Sequence, residues 1–102
     1  MVKHVILWTL KDEFSEEEKA KIKIGIKENL EGLAGKIPGL IYIKVNIDGL
    51  ETSKNADLML DSGFVDADAL KTYATHPDHV YVADTFVCPY TATRSCLDYI
   101  EA

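Results

Sequence analysis

Residues 70 to 87 read Leu70-Lys-Thr-Tyr-Ala-Thr-His-Pro-Asp-His-Val-Tyr-Val-Ala-Asp-Thr-Phe-Val87. This is the end of one short helix, a break at His76-Pro77 and the immediate start of a second helix. A proline disfavours helical backbone in the residue before it, and at the first helical position its missing N–H costs nothing. His76 is therefore the predicted cap of the second helix. On that helix His79, Val80, Ala83, Phe86 and Val87 share one face, while Asp78, Tyr81 and Asp84 share the other. Asp66 is the predicted N-cap of the preceding helix, which turns Ala69, Leu70 and Tyr73 inward.

Working outward, residues 57 to 65 read as a strand. Residues 40 to 48 read as another, with Ile41, Ile43, Val45 and Ile47 on one face and a polar loop over 49 to 55 after it. Ser15-Glu-Glu-Glu18 is a capping box: the serine hydroxyl can accept from the N–H of residue 18, and the Glu18 carboxylate can reach back to residue 15. Ile22, Ile26, Leu30, Leu33 and Ile37 then recur at helical spacing until Gly35 and Pro38-Gly39 end the helix. Residues 2 to 10 alternate like a strand, but neither face is polar. Val2, His4, Ile6, Trp8 and Leu10 point one way; Lys3, Val5, Leu7 and Thr9 point the other. Such a strand needs cover on both sides. After Pro89 a last strand runs to about Ile100.

The order predicts one α+β domain over 1–102, a ferredoxin-like βαββαβ arrangement of four antiparallel strands with helices on one face. The second sheet face stays apolar, and a twofold copy of the chain is the simplest cover. At 102 residues and 47% hydrophobic content the chain can bury one modest core. A net charge of −6 and a pI near 4.9 disfavour nucleic acid and anionic membranes as partners. The apolar start is too short to span a bilayer and has no small-residue cleavage site. Two cysteines are too few to staple a secreted fold, so a cytoplasmic protein is expected. No glycine-rich phosphate loop follows a strand, and no nucleotide, flavin or haem cofactor is expected.

With these elements in place the chain resembles, over nearly its whole length, the stress-responsive A/B barrel (Dabb) family of dimeric α/β barrels. The residues that carry the resemblance are His4-Val-Ile-Leu-Trp-Thr-Leu-Lys-Asp-Glu13, Lys36-Ile-Pro-Gly39, Asn55-Ala-Asp-Leu-Met-Leu60, Tyr73-Ala-Thr-His-Pro-Asp-His79, Arg94 and Leu97-Asp-Tyr99. The His-Pro-x-His element with His4 near the start is the specific part. The resemblance implies a homodimer whose sheets face each other in a central barrel, with the C-terminal strands reaching across. Some plant members of the family build larger assemblies, one plant branch cyclises linear polyketides, and many bacterial members have no known reaction. In the cyclase branch, positions matching His79 and Tyr73 carry acid/base work and one matching His4 lines the pocket. A further pocket histidine of that branch falls at Asp57 here, a departure from the cyclase pattern.

The residues themselves leave alternatives open. Burial would leave His79 neutral and able to accept a proton, and a Tyr73 hydroxyl could polarise a carbonyl beside it. That pair suits proton abstraction next to a carbonyl. The plainer alternative is a satisfied hydrogen-bond pair that locks the helix break. His4 lines the same cavity if its face meets the helices, and is an interface residue otherwise. Trp8, Asp57, Phe86 and Arg94 complete the candidate ligand-binding set. Arg94 either pairs with Asp98 or a dimer partner, or clamps a substrate carboxylate. His76 and His79 lack a convincing third metal ligand, so no metal site is expected. Cys88 and Cys96 read as small core residues. Three function classes follow: a Dabb-type protein of unassigned biochemistry, a carbonyl-directed enzyme, and a non-catalytic binder of an apolar small molecule. They separate on whether a cavity of about 300 Å³ or more opens beside His79 and Tyr73.

Overall fold

The computed structural model describes residues 1–53 and 55–102; Lys54, in the loop predicted over 49–55, lies outside them. Strands β1 (Val2–Leu10), β2 (Leu40–Asn46), β3 (Leu58–Phe64) and β4 (Thr91–Ile100) form one antiparallel sheet in the order β2-β3-β1-β4. Between them lie α1 (Glu16–Glu31), α2 (Ala67–Thr75) and α3 (Pro77–Val82), the last continuing into a π-helical turn, Ala83–Val87. This is the ferredoxin-like α+β fold the pattern predicts. The core lies between sheet and helices, with Ile26 and Leu30 of α1 set against Ile6, Val45, Leu60 and Phe64.

The caps form as read. Ser15 and Glu18 complete the capping box, with the Ser15 N–H donating to Glu18 Oε1 at 2.9 Å and the Glu18 N–H to Ser15 Oγ at 3.1 Å. Asp66 accepts the Ala69 N–H at 2.8 Å. Helix α1 stops sooner than its apolar spacing suggests, at Glu31, with Gly32 as its C-cap. The Glu31 carboxylate is drawn to β2, where it accepts the Val45 N–H at 2.9 Å and the Lys27 ammonium at 2.8 Å. Leu33 and Ile37 are buried all the same, carried by the turns that follow. Those turns end at Gly39, whose φ of 80° suits glycine and where a Cβ would stand 2.5 Å from that of Ala69. Only a bare Cα lets α2 sit this close to the start of β2.

Three readings of face need correction. Ile41 was expected inside with Ile43 and Val45, yet it is exposed. The register slips between Leu40 and Tyr42, so one residue is left over and Leu40 takes the inner position opposite Phe64. Val80 was assigned to the inner stripe of α3, but steps of three and four from His79 land on Val82 and Ala83. Val82 is buried and Val80 is exposed. Cys88 and Cys96, expected in the core, are both exposed.

Strand β1 is apolar on both faces for two different reasons. His4, Ile6, Trp8 and Leu10 are buried beneath the helices. On the outer face Val5 pairs with Leu97 and Leu7 with Met59 and Ser95, while Leu7, Leu97 and Tyr99 remain exposed. One end of that face is polar, where Lys3 meets Asp61 at 3.3 Å and the Tyr42 hydroxyl donates to Asp61 at 2.6 Å. Among the described residues no helix is long and apolar enough to cross a membrane.

Candidate functional site

The His76-Pro77 break builds the site. Ahead of the proline, His76 is extended (φ −64°, ψ 133°), which ends α2, and its Nδ1 accepts the Asp78 N–H at 3.1 Å to start α3. The kink turns the last turn of α2 and the first turn of α3 towards the same spot on the sheet. Tyr73 arrives from one and His79 from the other, with ring centroids 4.0 Å apart and planes 35° from parallel. The edge of His4, from β1, approaches the Tyr73 ring at 6.0 Å, and Phe64 packs against it at 5.1 Å. The cap uses Nδ1 of His76.

Beside these rings lies a cavity of about 570 Å³, bordered on β4 by the exposed Arg94, Cys96 and Asp98. Its walls are mainly apolar, including Trp8, Leu60, Leu70 and Val87, and His4, Tyr73, His79 and Arg94 also line it. Tyr73 is 1% exposed. Its hydroxyl and His79 Nδ1 are both buried and have no hydrogen-bond partner among the described residues. The expected alternative, a satisfied Tyr–His hydrogen bond, does not occur, because the two side chains meet through their rings. Burial pushes the Tyr73 phenol up, against a smaller opposing pull from Arg94, so the group stays a protonated donor. Burial pushes the His79 imidazole down, and the neighbouring His4 and Arg94 charges act the same way, against the Ala74 backbone and Asp84. His79 is therefore neutral at physiological pH.

Two of the candidates are placed elsewhere. The Asp57 carboxylate accepts the Leu10 N–H at 2.7 Å and its own N–H donates to the Trp8 carbonyl at 2.8 Å, so it ties β1 to the entry of β3. It borders a separate polar hollow with Thr9, Asp12 and Lys19. Phe86 packs at the margin of the core and edge-on against Tyr81 at 6.1 Å, away from the cavity wall. The suggested Arg94–Asp98 pair is absent as well. Both residues lie on the inner face of β4, four residues apart along an extended strand, and Asp98 is hydrogen-bonded to His4 Nδ1 instead.

Sequence reasoning missed Asp98, Cys96 and Lys71 as wall residues. Alternation on β4 was the available signal, since Arg94, Cys96 and Asp98 must share a face once Arg94 is placed. Cys96 Sγ lies 3.6 Å from His4 Nδ1 and 3.5 Å from Asp98 Oδ1. The donor atoms of His4, Cys96 and Asp98 fall within 4.8 Å of one another, a spacing that could hold a metal ion, among the described residues. Burial and the Asp98 carboxylate push the Cys96 thiol up, which keeps it protonated and a poor nucleophile.

Stability is expected to fall on mild acidification, in part through His79. Its folded-state pKa lies below the ordinary 6.5, so under acid the unfolded chain takes up a proton first. The contribution is constant above about pH 7, weakens as pH drops through 6.5, and levels off below the folded value. Urea unfolding at pH 7.5 and 5.5 checks this: His79→Gln should shrink the difference between the two pH values. An unchanged difference would show that the ring titrates as if solvated.

A ferredoxin-like sheet whose helix-covered face holds a cavity flanked by histidines and a buried tyrosine defines a class of small α/β barrel domains. The chain belongs to the stress responsive A/B barrel domain (Dabb) family, which it matches over residues 2–101. It is similar to a dimeric protein of unknown function and ferredoxin-like fold from Bacteroides fragilis, at 34% identity over 96% of this chain and 93% of that one, with a TM-score of 0.87. A Dabb family protein from Mesorhizobium loti aligns at 21% identity over 99% and 96% of the two chains, TM-score 0.74. A hydroxynitrile lyase from Passiflora edulis aligns at 21% identity over 99% and 88%, TM-score 0.70. These last two show a shared fold. Among curated proteins, none matches the chain by sequence.

Proposed function

We propose that the chain binds a small, largely apolar molecule in the cavity between helices and sheet, and holds its carbonyl or other polar group with Tyr73 and His79. One observation carries this reading: Tyr73 and His79 line a cavity of about 570 Å³, and the buried Tyr73 hydroxyl and His79 Nδ1 have no hydrogen-bond partner among the described residues. An orphaned buried donor costs about 1–3 kcal/mol, a cost a ligand would offset. The volume suits a compact ligand.

A second reading, catalysis, is favoured by the protonation states. A neutral imidazole beside a phenol that stays protonated is a base next to a donor, the equipment for removing a proton adjacent to a carbonyl. In this reading His79 is the base and Tyr73 the donor to the carbonyl oxygen.

The protein is further read as a homodimer paired through the outer sheet face and β4. The exposed Leu7, Leu97 and Tyr99 and the dimeric Bacteroides fragilis relative support this. Two free thiols fit a reducing, cytoplasmic setting.

A thermal-shift and calorimetric screen of small aromatic ketones and aldehydes tests the binding reading. Tyr73→Phe and His79→Gln should each weaken a hit about tenfold or more, the loss of one buried hydrogen bond. Without ligand, Tyr73→Phe should be more stable than the parent by about 1 kcal/mol, because it removes an unsatisfied hydroxyl. Unchanged affinity in both variants would refute the roles given to these two groups. Turnover of an identified substrate that survives His79→Gln would end the catalytic reading.

A further inference from the structure

Arg94 is the only arginine in the sequence, and all other strong cations are lysines. It stands on the inner face of β4 directly across from the buried Trp8, exposed to solvent and lining the cavity. Lys71, from α2, lines the same space. Neither cation is paired with a carboxylate among the described residues. The one acidic side chain in the wall, Asp98, is taken by His4. A protein of net charge −6 thus keeps, in the wall of a largely apolar chamber, two cations without a carboxylate partner among the described residues.

A guanidinium presents a planar fork of donors that fits both oxygens of a carboxylate, whereas an ammonium is a point charge. Apolar walls strengthen such a pair by excluding water from one side of it. We infer that the ligand is a carboxylic acid with an aromatic or aliphatic body, its carboxylate clamped by Arg94 at the β4 edge and its body lying along Trp8, Leu60 and Val87. This rests on the cavity being a small-molecule site. It adds a second anchor to Tyr73 and His79, so the ligand enters body first and stays oriented by its charged end. Lys71 adds to the field without fixing geometry.

The test uses 3-phenylpropionate and 4-phenylbutyrate, each compared with its neutral amide, by titration calorimetry on the parent, Arg94→Gln, Arg94→Lys and Lys71→Gln. Each acid should bind at least about tenfold more tightly than its amide, the range of a charge-assisted hydrogen bond. Arg94→Gln should erase that preference and leave amide affinity unchanged, which also shows that the variant is folded. Arg94→Lys should lose most of the preference, and Lys71→Gln only a small part. Equal binding of acid and amide to the parent overturns the clamp while leaving the cavity reading intact. A preference that survives Arg94→Gln overturns Arg94 as its source. Binding of neither compound in the acid or amide form removes the cavity reading, and the clamp falls with it.

Discussion

Replacing Phe64 by alanine is expected to cost about 3–5 kcal/mol, the usual range for deleting a fully buried aromatic ring. Phe64 is 0% exposed and closes the inner face of β3 at its C-terminal end, between His4 and Tyr73. A domain of this size has about 5–15 kcal/mol of stability in total, so the loss is a large share of it. Guanidinium unfolding should show a lower midpoint with an unchanged slope, and the melting temperature should drop by roughly 15 °C or more. The substitution also reaches the site. Tyr73 is held by ring contacts alone, so a hole behind it frees the phenol to turn, and ligand affinity should fall along with stability. A cost below about 1 kcal/mol would mean that the helices settle into the gap, and the packing described around Tyr73 would be wrong.

The second large effect concerns the outer face of the sheet. On the proposed pairing through this face, placing aspartate at both Leu7 and Leu97 is expected to raise the dimer dissociation constant by about a thousandfold or more. Both side chains are well exposed in the single chain, at 43% and 62%, and flank the β1–β4 pairing on one stripe with Val5 and Tyr99. Around a twofold axis each substitution counts twice, and four unpaired carboxylates would have to leave water together. A thousandfold change corresponds to about 4 kcal/mol, a modest demand on four desolvated charges. Analytical ultracentrifugation should find a monomer whose circular dichroism matches the parent, since neither residue belongs to the buried core. A double variant that sediments as a dimer would place the contact on another surface.

How much of this could be read beforehand depended on whether the controlling interaction was local. Ser15 with Glu18, Asp66 with Ala69 and His76 with Asp78 each join residues two or three apart, and all were legible from spacing and residue type. The alternation of β1 separated its two faces and showed that both need cover, while leaving open which of them meets the helices. What could not be read was set by distant partners. The Glu31 carboxylate at the end of α1 takes the N–H of Val45, fourteen residues on, a partner that spacing within the helix does not reveal. The slip at Ile41 depends on how β2 meets β3, and one residue of slip exchanges the faces. At the site, Tyr73, His79, His4, Trp8 and Arg94 do come to one cavity. Asp57 does not, because a carboxylate at a strand entrance is claimed by the nearest free backbone N–H. His4 and Asp98 are separated by 94 residues, and only the pairing of the first strand with the last brings them together.

The π-helical turn over Ala83–Val87 sets the size of the chamber by residue count. It holds one residue more than a regular helix needs, with the Cys88 N–H donating to the Ala83 carbonyl at 2.8 Å. Ala83 and Val87 at its two ends both border the cavity. A relative lacking one residue in this segment would continue as an ordinary helix, and the end of the segment, with Val87, would arrive roughly 100° rotated and about 1.5 Å short. Val87 would then meet the cavity at another angle, so the interior would have a different width. A single-codon gain or loss ahead of β4 can therefore change ligand capacity on this scaffold.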